Sequence, residues 1–193
     1  ERTVSGAAER FERIDILVTC AASSPGGLLE NLTEDDWFSS LNLKFMGYVR
    51  TCRAVVPHMR EAGSGSIVLV VGNDGLKPSY WEMTAGVANA ADINFASSLA
   101  EQYGPLGIRV NTVNPGPVNT ERWDGLEKAF ARDKGIDQDA AHELAVGSLP
   151  LGRICEPEEV ANLVAFLASP RASYLNGAHI PMDGGQRKAL MDL

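Results

Sequence analysis

The run Asp74-Gly-Leu-Lys77-Pro-Ser-Tyr80-Trp-Glu82 gathers the groups best suited to proton chemistry in this chain: two carboxylates, an amine and a phenol. A carboxylate at the wall of a cleft, Asp74 or Glu82, can act as general base in a cofactor-independent elimination or isomerisation, with Tyr80 or Lys77 beside it. In an exposed loop the same residues are only solvated charge. The other candidates are dispersed. His58, His142 and His179 are far apart and lack the spacing of a metal-binding pair. Cys20, Cys52 and Cys155 form no Cys-x-x-Cys pair, and sparse thiols fit a reducing, cytoplasmic setting. Cys20 has no cation or histidine near it in sequence and reads as a small buried apolar residue.

Alternating helix and strand signals position these groups. Asp15 to Thr19, Ser66 to Val71 and Ile108 to Val113 are short, nearly all-apolar runs, as strands buried on both faces of a parallel sheet are. Ala178 to Met182 is a fourth. Val4 to Phe11 reads as the tail of a helix. Thr33-Glu-Asp-Asp36 forms a capping box ahead of a long helix carrying Trp37, Leu41, Phe45, Met46, Val49 and Val56, which Gly63-Ser-Gly65 stops. A second long helix, rich in small residues, runs over 82–103, and Pro157 opens a helix over 157–168. A polar insert over 118–150 carries helical pieces near Glu127 and Asp139. The pattern predicts one α/β domain over 1–193, a doubly wound parallel sheet with helices on both faces. Ligands in such sheets bind beyond the carboxyl ends of the strands. Those ends are Thr19-Cys-Ala-Ala22, Gly72-Asn-Asp74 and Asn114-Pro-Gly-Pro117. A net charge of -8 argues against nucleic acid as partner. No apolar run is long enough to span a bilayer as a helix.

Several separate segments resemble the short-chain dehydrogenase/reductase family: Gly107-Ile-Arg-Val-Asn-Thr-Val-Asn-Pro-Gly-Pro-Val118, Pro150-Leu-Gly-Arg153, Pro157-Glu-Glu-Val-Ala161, Val164-Ala-Phe-Leu-Ala-Ser169 and Asp183-Gly-Gly185. They share the family's order and spacing from about Phe11 onward. The resemblance implies a Rossmann-like fold, a substrate lid over 118–150, and assembly through the helices at 33–62 and 82–103. It also implies a catalytic Ser, Tyr and Lys. At those positions this chain has Gly72, Ala85 and Asn89, which offer no substrate hydrogen bond, no phenolic proton and no cation to activate a phenol. The family's Asn-Asn-Ala-Gly segment reads Thr19-Cys-Ala-Ala22. Its first strands and Gly-rich cofactor loop are missing from this sequence; if they are absent from the protein as well, Ile14 to Val18 would form an apolar edge strand with open hydrogen bonds. Asn42 matches the family's helix asparagine that supports a relay water, or is a polar residue bonding locally. Thr120 matches the residue that bonds the nicotinamide amide, or is a turn or cap residue.

The expectation from these departures is a non-catalytic pseudoenzyme subunit of the family, with no metal and no cofactor of its own. It would form a hetero-oligomer with an active homologue that uses NAD to oxidise a secondary alcohol such as an acyl-CoA-type substrate. The rival expectations are a free-standing cofactor-independent enzyme centred on Asp74, Glu82 or Tyr80, and a binding protein that keeps the cleft without turnover.

Overall fold

The computed structural model describes residues 2–186, so residue 1 and residues 187–193 of the expected domain lie outside it. Four strands form one parallel sheet in the order β1 (Ile16–Thr19), β2 (Gly65–Val70), β3 (Ile108–Pro115) and β4 (His179–Met182). Among the described residues seven α-helices surround it: α1 (Arg2–Phe11), α2 (Glu34–Leu43), α3 (Phe45–Ala62), α4 (Met83–Tyr103), α5 (Glu121–Lys134), α6 (Gln138–Gly147) and α7 (Pro157–Ala168). Side chains alternate across the pleat. Ile67, Leu69 and Val71 therefore meet Tyr48, Cys52, Met59, Ala96 and Leu99 of α3 and α4 on one face. Val68 and Val113 meet Leu167 of α7 on the other.

Local chemistry sets the helix ends. Thr33 caps α2 by accepting from the Asp36 amide at 3.2 Å, while the Asp36 carboxylate accepts from the Thr33 amide at 2.8 Å. Both orphan donors are thereby satisfied. Gly63 ends α3 in the left-handed region at φ +66°, where a side chain would be strained. Two expectations change. The single long helix expected after Thr33 is two, meeting at Lys44, whose ψ of -72° redirects the chain. The first strand is not buried on both faces: Ile16 and Val18 are 50% and 44% exposed, because α7 covers the β2–β3 part of the sheet and does not reach β1.

The expected insert folds as α5 and α6 and builds a second core. Trp81, just before α4, packs edge-on against Phe130 in a cluster with Trp123, Ala131, Ala141, Ala145 and Leu149. The Trp81 indole donates to Asp133 at 3.0 Å. That of Trp123 donates at 2.7 Å to buried Glu127, which His142 also meets at 2.8 Å. A parallel bridge between Val118 and Cys155 closes the base of the insert.

Candidate functional site

A cleft of about 180 Å³ lies beyond the carboxyl ends of the strands, where a doubly wound sheet binds ligands. Ala22, Val71, Gly72 and Pro115–Val118 come from the strand ends, Ala85 and Asn89 from α4, and Thr120, Arg122, Trp123 and Leu126 from the root of the insert. Its volume is below the ~300–1,000 Å³ of ordinary ligand pockets, so it seats a compact group. A larger cleft of about 490 Å³ lies between Leu149–Arg153 and Pro181–Gly185. Its charged lining is self-satisfied, since Arg153 forks onto Glu159 with both contacts at 2.7 Å.

The positions read as catalytic by resemblance, Gly72, Ala85 and Asn89, do converge on one wall of the smaller cleft. Asn89 is buried on α4 and donates to the Asp74 carboxylate, while its own carbonyl oxygen has no partner. Asp74 and Glu82 also line the cleft. Burial raises the Asp74 pKa, and Lys44 and the Asn89 hydrogen bond work against that rise. Lys77 and Tyr80 turn elsewhere. The Lys77 amine binds Asp183 at 2.5 Å, and Tyr80 lies with its ring centroid 5.2 Å from the Lys134 amine.

Lys44 is the residue the sequence reading missed. It is 4% exposed, and its ammonium donates at 2.5 Å to the carbonyl of Val71, at the cleft floor. One turn on, the buried Tyr48 hydroxyl donates to the Val70 carbonyl at 2.6 Å. Two α3-side residues thus close the last carbonyls of β2. Lys44 feels Asp74 and Asp92 as attractive charges and Arg122 as a repulsive one, and burial lowers its pKa. Asp92 on α4 is fully buried, and neither carboxylate oxygen has a hydrogen-bond partner. Burial pushes its pKa up to about 7, with Lys44 holding it back.

Asn42 is exposed, and its side chain and backbone carbonyl accept from Arg50 at 2.6 and 3.0 Å, while Lys44 at the bend is buried. Thr120 lines the cleft but serves as the N-cap of α5, accepting from the Trp123 amide at 3.4 Å and donating to Val118 at 3.2 Å. Cys20 is an exposed thiol, contrary to the buried residue expected. His142 pairs with Glu127, and His179 sits between Thr112 and Ser97 at 3.0 and 2.8 Å. Among the described residues no cluster of metal-ligating side chains occurs and no helix is long and apolar enough to cross a membrane.

The family described as Enoyl-(Acyl carrier protein) reductase matches residues 1–187. The chain is 36% identical over 188 residues to the short-chain reductase protein NovJ of Streptomyces niveus, covering 95% of this chain and 68% of that protein. It is 32% identical over 185 residues to the 3-oxoacyl-[acyl-carrier-protein] reductase FabG of Thermotoga maritima, covering 96% and 71%. The chain spans between 64% and 75% of the length of the curated relatives it matches. Among solved structures, YwfH, an NADPH-dependent reductase involved in bacilysin biosynthesis, superposes with a TM-score of 0.87 at 28% identity over 97% of this chain and 72% of that one. Actinorhodin polyketide ketoreductase with NADPH gives 0.91 at 25% identity over 95% and 71%. These relatives are named as working reductases, which overturns the expectation of a non-catalytic subunit, and the nucleotide named with the solved structures runs against a chain that binds none. The chain belongs to the short-chain dehydrogenase/reductase family.

Proposed function

We propose that this chain is itself a catalytic oxidoreductase that interconverts a carbonyl and an alcohol in the 180 Å³ cleft with a nicotinamide dinucleotide. The observation that carries the reading is the cleft's place at the strand ends, in a chain whose relatives are named reductases of 3-oxoacyl thioesters and dehydrogenases of hydroxy acids and diols. The lining fits the nicotinamide end of such a group. Asn89 leaves a buried acceptor unpaired, and Gln186 leaves a buried donor unpaired on the same cleft. A carboxamide presents the complementary donor and acceptor. When bound, the nicotinamide supplies or accepts the hydride.

The residues at the positions that resemblance assigns to Ser, Tyr and Lys have no proton to deliver, so the proton must come from another group on the cleft. Trp123 and Leu126 offer an apolar wall to the carbon skeleton, and Arg122 sets a cation at the rim. The compact volume favours a short carbonyl segment in the cleft, with any longer carrier outside it.

The test is nucleotide binding by the purified chain, followed through the fluorescence of Trp123. The reading expects saturable quenching by NADPH or NADH, and weaker binding when Gln186→Ala removes the unpaired donor. Absence of saturable binding by either nucleotide contradicts it.

A further inference from the structure

We propose that Lys44 is the proton donor to the substrate's carbonyl oxygen. The inference rests on the reading of the cleft as a carbonyl-reducing site and names the residue that completes it.

Three observations carry it. Lys44 reaches the cleft floor from the bend between α2 and α3, held by the Val71 carbonyl at 2.5 Å. An ammonium has three protons and that contact uses one, so others remain for the cleft. Gly72 and Ala85, which line the same cleft, carry no side-chain proton to deliver, whereas the Lys44 ammonium does. Lys44 also feels as an attractive charge the carboxyl of Asp92, which is fully buried with neither oxygen hydrogen-bonded.

The groups facing Lys44 are Asp74 from the turn after β2, Asp92 from α4, Arg122 from α5 and Cys20 from the end of β1. One buried cation set against two buried carboxyls leaves a negative excess if all three ionise. A low-dielectric site avoids that by keeping one proton on a carboxyl. Burial raises the pKa of both carboxyls, and the hydrogen bond that Asn89 donates to Asp74 works against the rise there. In reduction, the carbonyl carbon gains a hydride from the reduced nicotinamide dinucleotide of the proposed function. The carbonyl π pair passes to oxygen, which takes a proton from the Lys44 ammonium. Lys44 is left as the neutral amine, a form its burial favours. The amine is then reprotonated from solvent through the cleft that it lines. Oxidation runs the same steps backwards.

The experiment combines the amine signal with kinetics. Protein labelled with ¹⁵N at the lysine side chains is titrated with cyclohexanol, and the Lys44 signal is assigned by its loss in Lys44→Arg. The inference expects that signal to move on alcohol binding. It also expects Lys44→Met to lower kcat by about 100-fold or more, with KM and nucleotide affinity little changed, and Lys44→Arg to do the same, since a guanidinium does not release its proton. A Lys44 signal indifferent to the alcohol, or Lys44→Met turning over within a few-fold of the parent, overturns it. If the signal moves but the parent reduces no carbonyl, the proposed function fails while Lys44 stands as the oxygen's contact. Should Lys44→Met fail to fold, the titration of the parent still decides.

Discussion

Replacing Asp92 by Asn should flatten the pH dependence of this protein's stability. Asp92 is fully buried, and burial lifts its pKa from an ordinary 3.8 to about 7, with the charge of Lys44 holding it back. Because the native carboxyl holds its proton more tightly than the unfolded one, it favours the folded state most below pH 4. That advantage is lost as pH rises through about 7. The difference of about 3 pH units corresponds to an upper limit of about 4 kcal/mol. For a chain of this size a kcal/mol moves Tm by roughly 2–4 °C, so the parent should lose up to about 10 °C between pH 5 and pH 8 from this group. Asp74 contributes with the same sign and Lys44 with the opposite sign, and both remain in the variant. Asn fills the same volume, cannot ionise and leaves Lys44 with Asp74 as its counter-charge. Melting curves followed by circular dichroism at fixed salt, from pH 5 to 8.5, should therefore show Tm of Asp92→Asn gaining on the parent as pH rises. Two curves that run parallel across that range would refute a raised pKa at Asp92.

Three further substitutions probe the cleft and its supports. A Cβ at Gly72 would lie 2.4 Å from the Asn89 amide nitrogen and 2.9 Å from an Asp74 oxygen, so Gly72→Ser should break the Asn89–Asp74 contact and lower stability by about 1–3 kcal/mol in chemical denaturation. A Cβ at Gly26 would lie 2.1 Å from the Trp81 ring, so Gly26→Ala should cost at least about 1–3 kcal/mol and shift the Trp81 emission. Thr120→Ala removes the N-cap of α5 at the cleft rim and should cost about 1 kcal/mol, read from the denaturation midpoint.

Strand and helix order was legible because it rests on local signals: the Thr33 capping box, Gly63 at the end of α3, and Pro157 at the start of α7 all sit where the residue types put them. The exposure of Ile16 and Val18 was not legible, since an apolar run does not say which neighbours will cover it. The site was half legible. Gly72, Ala85, Asp74, Glu82 and Asn89 meet in one cleft as strand-end and helix-start positions must. Lys44 was missed because a lysine on a helix is ordinarily solvated. The available signal was its register: Lys44, Tyr48, Cys52, Val55 and Met59 form one buried stripe at helical spacing, with the lysine at the end nearest the strand tips. Asp92 lies one turn after a residue the resemblance had marked, yet its importance comes from burial and from the charge of Lys44 outside its own helix, which sequence spacing does not encode.

The account stands most directly on whether this chain, by itself, moves a hydride. The purified protein should be incubated with NADPH deuterated at the nicotinamide C4 position and a panel of compact ketones and 3-oxoacyl thioesters, with products analysed by mass spectrometry. The account predicts an alcohol carrying one deuterium on its carbinol carbon, formed by the parent and lost in Lys44→Met. Products without deuterium from the parent, on every substrate that binds, would contradict it.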